Sequence, residues 1–331
     1  MRYLITGGSG YIGTRLTDVL VEREETERIV NIDVRPPAAL RPKEEFVSGD
    51  VRRREQVRGL LEREQPDVLV HLAFIFGNPI RDEARMYEID VAGTQAVLQA
   101  ASDAGVGQVL VASSASAYGA FPDNPVPIAE DWPVRGQPDY PYARHKAEVD
   151  RLCQLWALQH PNRVMTILRP CIVAGPTLDN FISRSWKTSF FSPRLDGVEA
   201  EFQLVHEDDL VAALVGLLKA KAGGAFNVAA DGTLGWTEAS EMIGTKVRDV
   251  SLRTMKRIYG VAYKLHLPNV ENPPGNLDFL RYPWIVSNEK LKAEIGWKPS
   301  ADTREVFVET MYAKGLVATP PVPAPVPPAV T

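Results

Sequence analysis

Tyr142 and Lys146 stand four residues apart at the start of a stretch with helical spacing, so their side chains share one face. An ammonium beside a phenol stabilises the phenolate and draws a pKa of about 10 toward neutrality. Such a tyrosine takes the proton of a substrate hydroxyl while hydride leaves the carbinol carbon, and it returns the proton in the reverse direction. Upstream lies Ser113-Ser114-Ala115-Ser116-Ala117-Tyr118-Gly119, at the end of an apolar run. A serine hydroxyl of this turn, from Ser113, Ser114 or Ser116, can orient the substrate oxygen and share its developing charge, which makes the turn a candidate substrate contact.

Hydride needs an acceptor, and the N-terminus offers a place for one. Thr6-Gly7-Gly8-Ser9-Gly10-Tyr11-Ile12-Gly13 follows the first apolar run and opens an amphipathic stretch. Glycines at 7, 10 and 13 permit a tight turn, close approach of a pyrophosphate, and packing of helix on strand. The helix start, with Tyr11 and Ile12, presents N–H groups and a positive dipole end to phosphate. Asp33 closes the second run twenty residues after Gly13. A carboxylate there accepts both ribose hydroxyls of NAD and repels the extra phosphate of NADP, although Arg35 nearby softens the repulsion. Asp50 and Val51, ending the third run, are placed to meet the adenine; a plain turn-capping Asp50 is the alternative.

These groups must be positioned by alternating strands and helices. Apolar runs predict strands at Tyr3–Thr6, Ile29–Asp33, Glu45–Val47, Val68–Leu72, Val109–Ser113 and Val164–Leu168, with helices near Gly13–Glu22, Arg54–Glu64, Ala84–Ala104 and Tyr142–His160. The runs are Val/Ile/Leu-rich with little alternation, as in a parallel sheet covered on both faces. The fold class expected is α/β: a Rossmann-type doubly wound parallel sheet with a smaller C-terminal substrate-binding lobe. Residues 1–170 form the NAD-binding domain, to which 203–230 return through a helix at Asp209–Ala220 and a strand at Phe226–Val228. Residues 171–202 and 231–318 form the lobe, with Trp236–Gly296 less regular. Residues 319–331 are expected to form a Pro-rich tail, extended or disordered.

Composition narrows the function. The 331 residues carry a net charge of -5, with no basic footprint for nucleic acid. The longest apolar stretch, Leu210–Leu218, is about half a membrane span. Cys153 and Cys171 are the only cysteines and form no metal motif. The expectation is a cytoplasmic enzyme with a small-molecule substrate, no metal, and neither nucleic acid nor membrane as partner. Histidines 71 and 206 read as packing residues. Trp186, Phe190, Phe191 and Phe202 either line an apolar substrate pocket or form the lobe's core. Asn180, just past Gly175-Pro176, is a candidate substrate contact.

Jointly these motifs resemble the extended short-chain dehydrogenase/reductases of the NAD-dependent epimerase/dehydratase family. The likeness is carried further by His71-Leu72-Ala73, Gly93-Thr94, Leu168-Arg169-Pro170, Val205-His206-Glu207-Asp208-Asp209-Leu210 and Gly296-Trp297-Lys298-Pro299. It implies NAD as cofactor and Ser114, Tyr142 and Lys146 as catalytic triad. It also implies cofactor contacts at Leu72, Ala73, Phe74, Asp90 and Pro170 as well as at Tyr142 and Lys146. A homodimer is implied too, pairing the helices Ala84–Ala104 and Tyr142–His160 across a two-fold axis.

Departures from the family bear on the reaction. The Asp-Glu pair that performs elimination in 4,6-dehydratases is replaced by Ala115-Ser116, so dehydration is excluded. The Asn that touches substrate in sugar-nucleotide epimerases is replaced by Ile172. One diphosphate-binding Arg is replaced by Phe202, and a second has no counterpart near Leu277, leaving Arg184, Arg194 or Arg281 as substitutes. Asp90 stands where Asn is usual. The expected function is oxidoreduction or epimerisation at a secondary alcohol or ketone. A UDP-sugar 4-epimerase is the alternative, and a non-catalytic NAD-sensing regulator, a class that commonly loses the Tyr or Lys, is the second.

Overall fold

The six apolar runs fold as β1 (Arg2–Thr6), β2 (Arg28–Asp33), β3 (Glu44–Ser48), β4 (Val68–His71), β5 (Gln108–Ala112) and β6 (Val164–Pro170). The computed structural model describes residues 1–75, 81–180, 184, 186, 191–267 and 270–318. Phe190 and the Pro-rich tail lie outside the described residues. All strands of the central sheet are parallel, in the order 3-2-1-4-5-6, and Gly224–Val228 joins as a seventh beside β6. Successive side chains of β1 serve opposite faces: Tyr3 and Ile5 enter one core, Leu4 the other. That double burial explains the near-continuous Val/Ile/Leu content. The doubly wound fold expected from the sequence is present.

Between the strands run α1 (Tyr11–Val21), α2 (Arg54–Glu64), α3 (Glu83–Tyr87), α4 (Gly93–Asp103) and α5 (Pro141–Gln159). The single helix expected over Ala84–Ala104 is instead divided by a π turn, Glu88–Ala92, which buries Asp90. After β6, β7 (Ile172–Ala174), β8 (Ser192–Leu195), β9 (Glu201–Phe202) and β10 (Leu204–His206) lead into α6 (Glu207–Ala220) and then β11 (Gly224–Val228). β7 pairs with β10, and β9 pairs antiparallel with β12 (Leu234–Gly235).

The stretch from Trp236 to Gly296 is more regular than its sequence suggests. It holds α7 (Trp236–Met242), β13 (Val247–Val250), α8 (Leu252–Lys264), a 3-10 segment (Pro274–Leu280) and α9 (Glu289–Ile295). β13 runs parallel to β8, a pairing invisible without tertiary context. A last helix, α10 (Thr303–Ala313), starts with a reciprocal capping box between Asp302 and Glu305.

Candidate active site

The candidate phosphate end of the site is the turn from β1 into α1. Gly7 has φ +73°, and a Cβ there would stand 2.7 Å from the Ala73 nitrogen. At Gly13 a Cβ would come within 2.4 Å of the Gly7 carbonyl oxygen. A side chain at position 7 would meet the backbone that follows β4, and one at position 13 would force the loop away from α1. Gly10 caps α1 without a side-chain hydrogen bond, and the first turn carries no acid. Its N–H groups and dipole therefore remain available to an anion. Beside this loop the Asp33 carboxylate, at the end of β2, accepts from the Ser9 N–H at 3.3 Å and the Arg35 N–H at 3.1 Å. A dinucleotide's pyrophosphate and ribose fit this donor set and carboxylate.

The other predicted cofactor residues flank the same sheet end. Leu72 and Ala73 follow β4 against Gly7, and Leu72 donates to the Thr6 carbonyl at 2.9 Å. Val51 is buried, lying where a Cβ on Gly93 would touch it. Asp50 makes the contact of its turn-capping alternative: its carboxylate accepts from the Arg52 N–H at 3.0 Å and pairs with the Arg52 guanidinium at 2.6 Å. Pro170, half-buried, ends β6.

Tyr142 and Lys146 rise from the first turns of α5. The Tyr142 phenol hydrogen-bonds with Ser114 and Ser116, whose hydroxyls lie 2.7 Å apart. Burial pushes Tyr142 up to about 12, the two serine hydrogen bonds pull it down, and the Asp90 carboxylate pushes it up. Lys146 is 3% exposed. Its ammonium donates to the Ala112 carbonyl at 2.7 Å and lies 3.2 Å from the Phe74 ring centroid and 5.9 Å from the Tyr142 centroid. Burial lowers Lys146 to about 7, opposed chiefly by the charge of Asp90. Asp90 itself accepts from the Ile75 N–H at 2.9 Å and lies 3.6 Å from His145.

Asp150, which the sequence reading did not single out, fixes this assembly. It lies four residues beyond Lys146, so Tyr142, Lys146 and Asp150 follow one helical row. Its buried carboxylate takes a bidentate Arg169 pair at 2.8 Å and the Ser113 hydroxyl at 2.8 Å. Arg169 continues to the Tyr118 hydroxyl at 2.7 Å, and Tyr118 to Asn227 at 2.8 Å. This network ties α5 to β6, β11 and the serine turn. The i,i+4 spacing was its only signal in the sequence.

Both histidines act structurally. His71 is buried between Thr6 at 2.6 Å and Thr94 at 3.0 Å, and burial lowers it to about 3. His206 caps α6 by accepting from the Asp208 N–H at 3.2 Å. Glu207, fully buried, accepts from the Tyr11 hydroxyl and from Thr177 Oγ1, joining the cofactor helix to the loop after β7.

Phe202 is 3% exposed and packs in an aromatic core with Trp186, Trp236 and Phe307 at 5.6–6.5 Å. The core alternative, rather than a pocket wall, describes its packing. Leu277 is buried as well. Each of the three substitute arginines meets a carboxylate: Arg184 with Glu271 at 2.9 Å, Arg194 with Asp249 at 2.6 Å, and Arg281 with Asp196 at 3.1 Å. Asn180 is half-buried at the edge of the described residues, where its carbonyl accepts from the Arg184 N–H at 3.1 Å. Among the described residues, no group of three or more His, Cys, Asp or Glu could hold a metal.

Residues 3–229 match the model of the NAD dependent epimerase/dehydratase family. An uncharacterized protein of Mycobacterium tuberculosis is 25% identical over 319 residues, covering 95% of this chain and 84% of its own length. A UDP-glucose 4-epimerase of Streptococcus mutans is 26% identical over 344 residues, covering 95% and 96%. Among solved structures, a dTDP-glucose 4,6-dehydratase from Streptomyces venezuelae with NAD bound superposes with a TM-score of 0.73 at 23% identity, covering 96% of this chain and 99% of that one. That likeness establishes the shared fold. The chain belongs to the NAD dependent epimerase/dehydratase family and is an NAD-dependent enzyme of the extended short-chain dehydrogenase/reductase type.

Proposed function

We propose that the protein oxidises and reduces a secondary alcohol or ketone, as an oxidoreductase or epimerase, with Tyr142 as the proton carrier. The observation that carries this reading is the Tyr142 phenol hydrogen-bonded with Ser114 and Ser116, one helical turn before Lys146. NAD, when bound, supplies the hydride acceptor, with Gly7, Gly10, Gly13, Asp33 and Lys146 as the residues to hold it. Ser114 holds the substrate oxygen. Tyr142 accepts the hydroxyl proton as the carbinol C–H bond breaks and the carbonyl forms, and Lys146 stabilises the phenolate. Release of the ketone gives net oxidation; re-reduction from its other face gives the epimer. Ala115 and Ser116, in place of an acid–base pair, leave elimination without its proton carriers.

The UDP-sugar 4-epimerase is the second reading, favoured by the Streptococcus mutans relative over nearly the full length of both chains. The charge pattern favours a less anionic substrate. Phe202 and Leu277 are buried and apolar, and Arg184, Arg194 and Arg281 already serve carboxylates. A diphosphate buried without cations costs several kcal/mol. Both the regulator reading and the enzymatic ones accommodate NAD, but a regulator has no use for an intact Tyr142–Lys146 pair. Calorimetry of the NAD-loaded protein with UDP separates the enzymatic readings. Weak or absent binding is expected, and micromolar binding reinstates the sugar-nucleotide epimerase.

A further inference from the structure

We propose that α8 is an interfacial anchor that seats the protein on an anionic lipid surface. The helix is Leu252-Arg253-Thr254-Met255-Lys256-Arg257-Ile258-Tyr259-Gly260-Val261-Ala262-Tyr263-Lys264. None of its residues is buried, and its apolar residues run round the helix from an outward edge to the face that meets the fold. Ile258, Val261 and Leu265, spaced i, i+3 and i+7, are 58%, 59% and 67% exposed and form a single outward stripe. Globular folding would turn such a stripe inward. Here the inward side is taken by Met255, Tyr259 and Tyr263, and the helix rests on Pro274–Leu280.

Charge identifies the occupant. At 100° per residue, Arg253, Arg257 and Lys264 form a row directly beside the apolar stripe. Among the described residues these three side chains have neither an ion-pair nor a hydrogen-bond partner, whereas Lys256 on the inner side pairs with Asp278 at 2.7 Å. From Val250 to Val270 there is no acidic residue, in a chain whose net charge is -5. An apolar stripe bordered by unpaired cations matches an anionic bilayer: acyl chains take the stripe and phosphate headgroups take the row. Two-fold packing of the stripe on its own copy would set these cations against one another, since the segment carries no carboxylate. No helix of the described residues is long and apolar enough to cross a membrane. α8 would lie on the surface, a mode that the sequence expectation of no membrane partner did not consider.

The inner side of α8 is tied to the segment before α5. Asp278, held by Lys256, also accepts from Gln137 Nε2 at 2.6 Å, and Tyr140 packs on Phe279 at 5.9 Å. Residues 137–140 lead directly into Tyr142. Through Asp278 and Phe279, α8 is thus linked to the segment that carries Tyr142. The inference rests on the surface of α8 and stands whichever substrate reading holds.

The test is co-sedimentation of the full chain with vesicles of phosphatidylcholine alone and of phosphatidylcholine mixed with phosphatidylglycerol. The protein should bind the mixed vesicles, weaken with added salt, and ignore phosphatidylcholine alone. Arg253→Gln, Arg257→Gln and Lys264→Gln should each weaken binding about fivefold. Ile258→Ser/Val261→Ser/Leu265→Ser should abolish it, while unchanged NAD affinity reports an intact fold. Absence of binding to mixed vesicles, or binding that survives the triple serine variant, overturns the proposal. So does failure to bind vesicles together with a drop in solution mass in that variant, which would assign the stripe to a second copy.

Discussion

The Lys146 ammonium lies 3.2 Å from the centroid of the Phe74 ring. With the Ala112 carbonyl, that ring is a principal partner of a cation otherwise taken out of water. Burial nonetheless lowers Lys146 from its ordinary 10.5 to about 7. Between those values the unfolded chain binds a proton that the folded chain does not, so this group adds stability as pH rises through the window. Melting of the cofactor-free protein should therefore shift upward from pH 7 toward 10 relative to Lys146→Met. Parallel melting curves for the two proteins across that range would refute the assignment. Phe74→Leu, by removing the π face, should move the start of the window to lower pH.

Asp90 faces both members of the pair, raising Tyr142 and supporting the charge of Lys146. Asp90→Asn keeps the side chain's shape and its acceptor for the Ile75 N–H while removing the charge. The pH limb of turnover belonging to Tyr142 should move to lower pH. A pH–rate profile of both proteins checks this, and a shift in the opposite direction would show that the loss of support for Lys146 dominates.

The Asp150–Arg169 pair is buried at both ends. Asp150→Ala leaves the guanidinium without its bidentate partner and should cost about 3–5 kcal/mol of stability. Urea unfolding measures it. A cost below about 1 kcal/mol would mean that the network linking α5 to β6 is not what positions the catalytic row.

Asp33, held between the Ser9 and Arg35 N–H groups, is the proposed ribose acceptor. Titration should give tighter binding of NAD than of NADP, and Asp33→Ala should narrow the gap by removing repulsion of the extra phosphate. Equal affinities in the native protein would count against Asp33 as the ribose acceptor.

Much of this was legible in the sequence because its causes are local. The Val/Ile/Leu runs that became β1, β2, β4 and β5 are buried on both faces, so their composition alone reveals a covered parallel sheet. The glycines at 7 and 13 are demanded by backbone contacts within a few residues or across one strand. Less was legible where long-range packing decides. Phe202 was open to a pocket or a core role until Trp186, Trp236 and Phe307 were brought around it. Asp150 draws its importance from Arg169, nineteen residues away on another element. The π turn at Glu88–Ala92 has no compositional mark, yet it buries Asp90 beside the pair. The capping box of α10, Asp302 with Glu305, is a local start signal that the sequence reading passed over.

The most direct measurement is nicotinamide reduction by the NAD-loaded protein, followed by absorbance over a panel of secondary alcohols that includes UDP-glucose, for native protein and Tyr142→Phe. The account predicts reduction with alcohols lacking a diphosphate. It also predicts that Tyr142→Phe abolishes turnover while NAD affinity stays the same, since only the proton carrier is lost. Full activity in Tyr142→Phe, or turnover confined to the UDP-sugar, would contradict it.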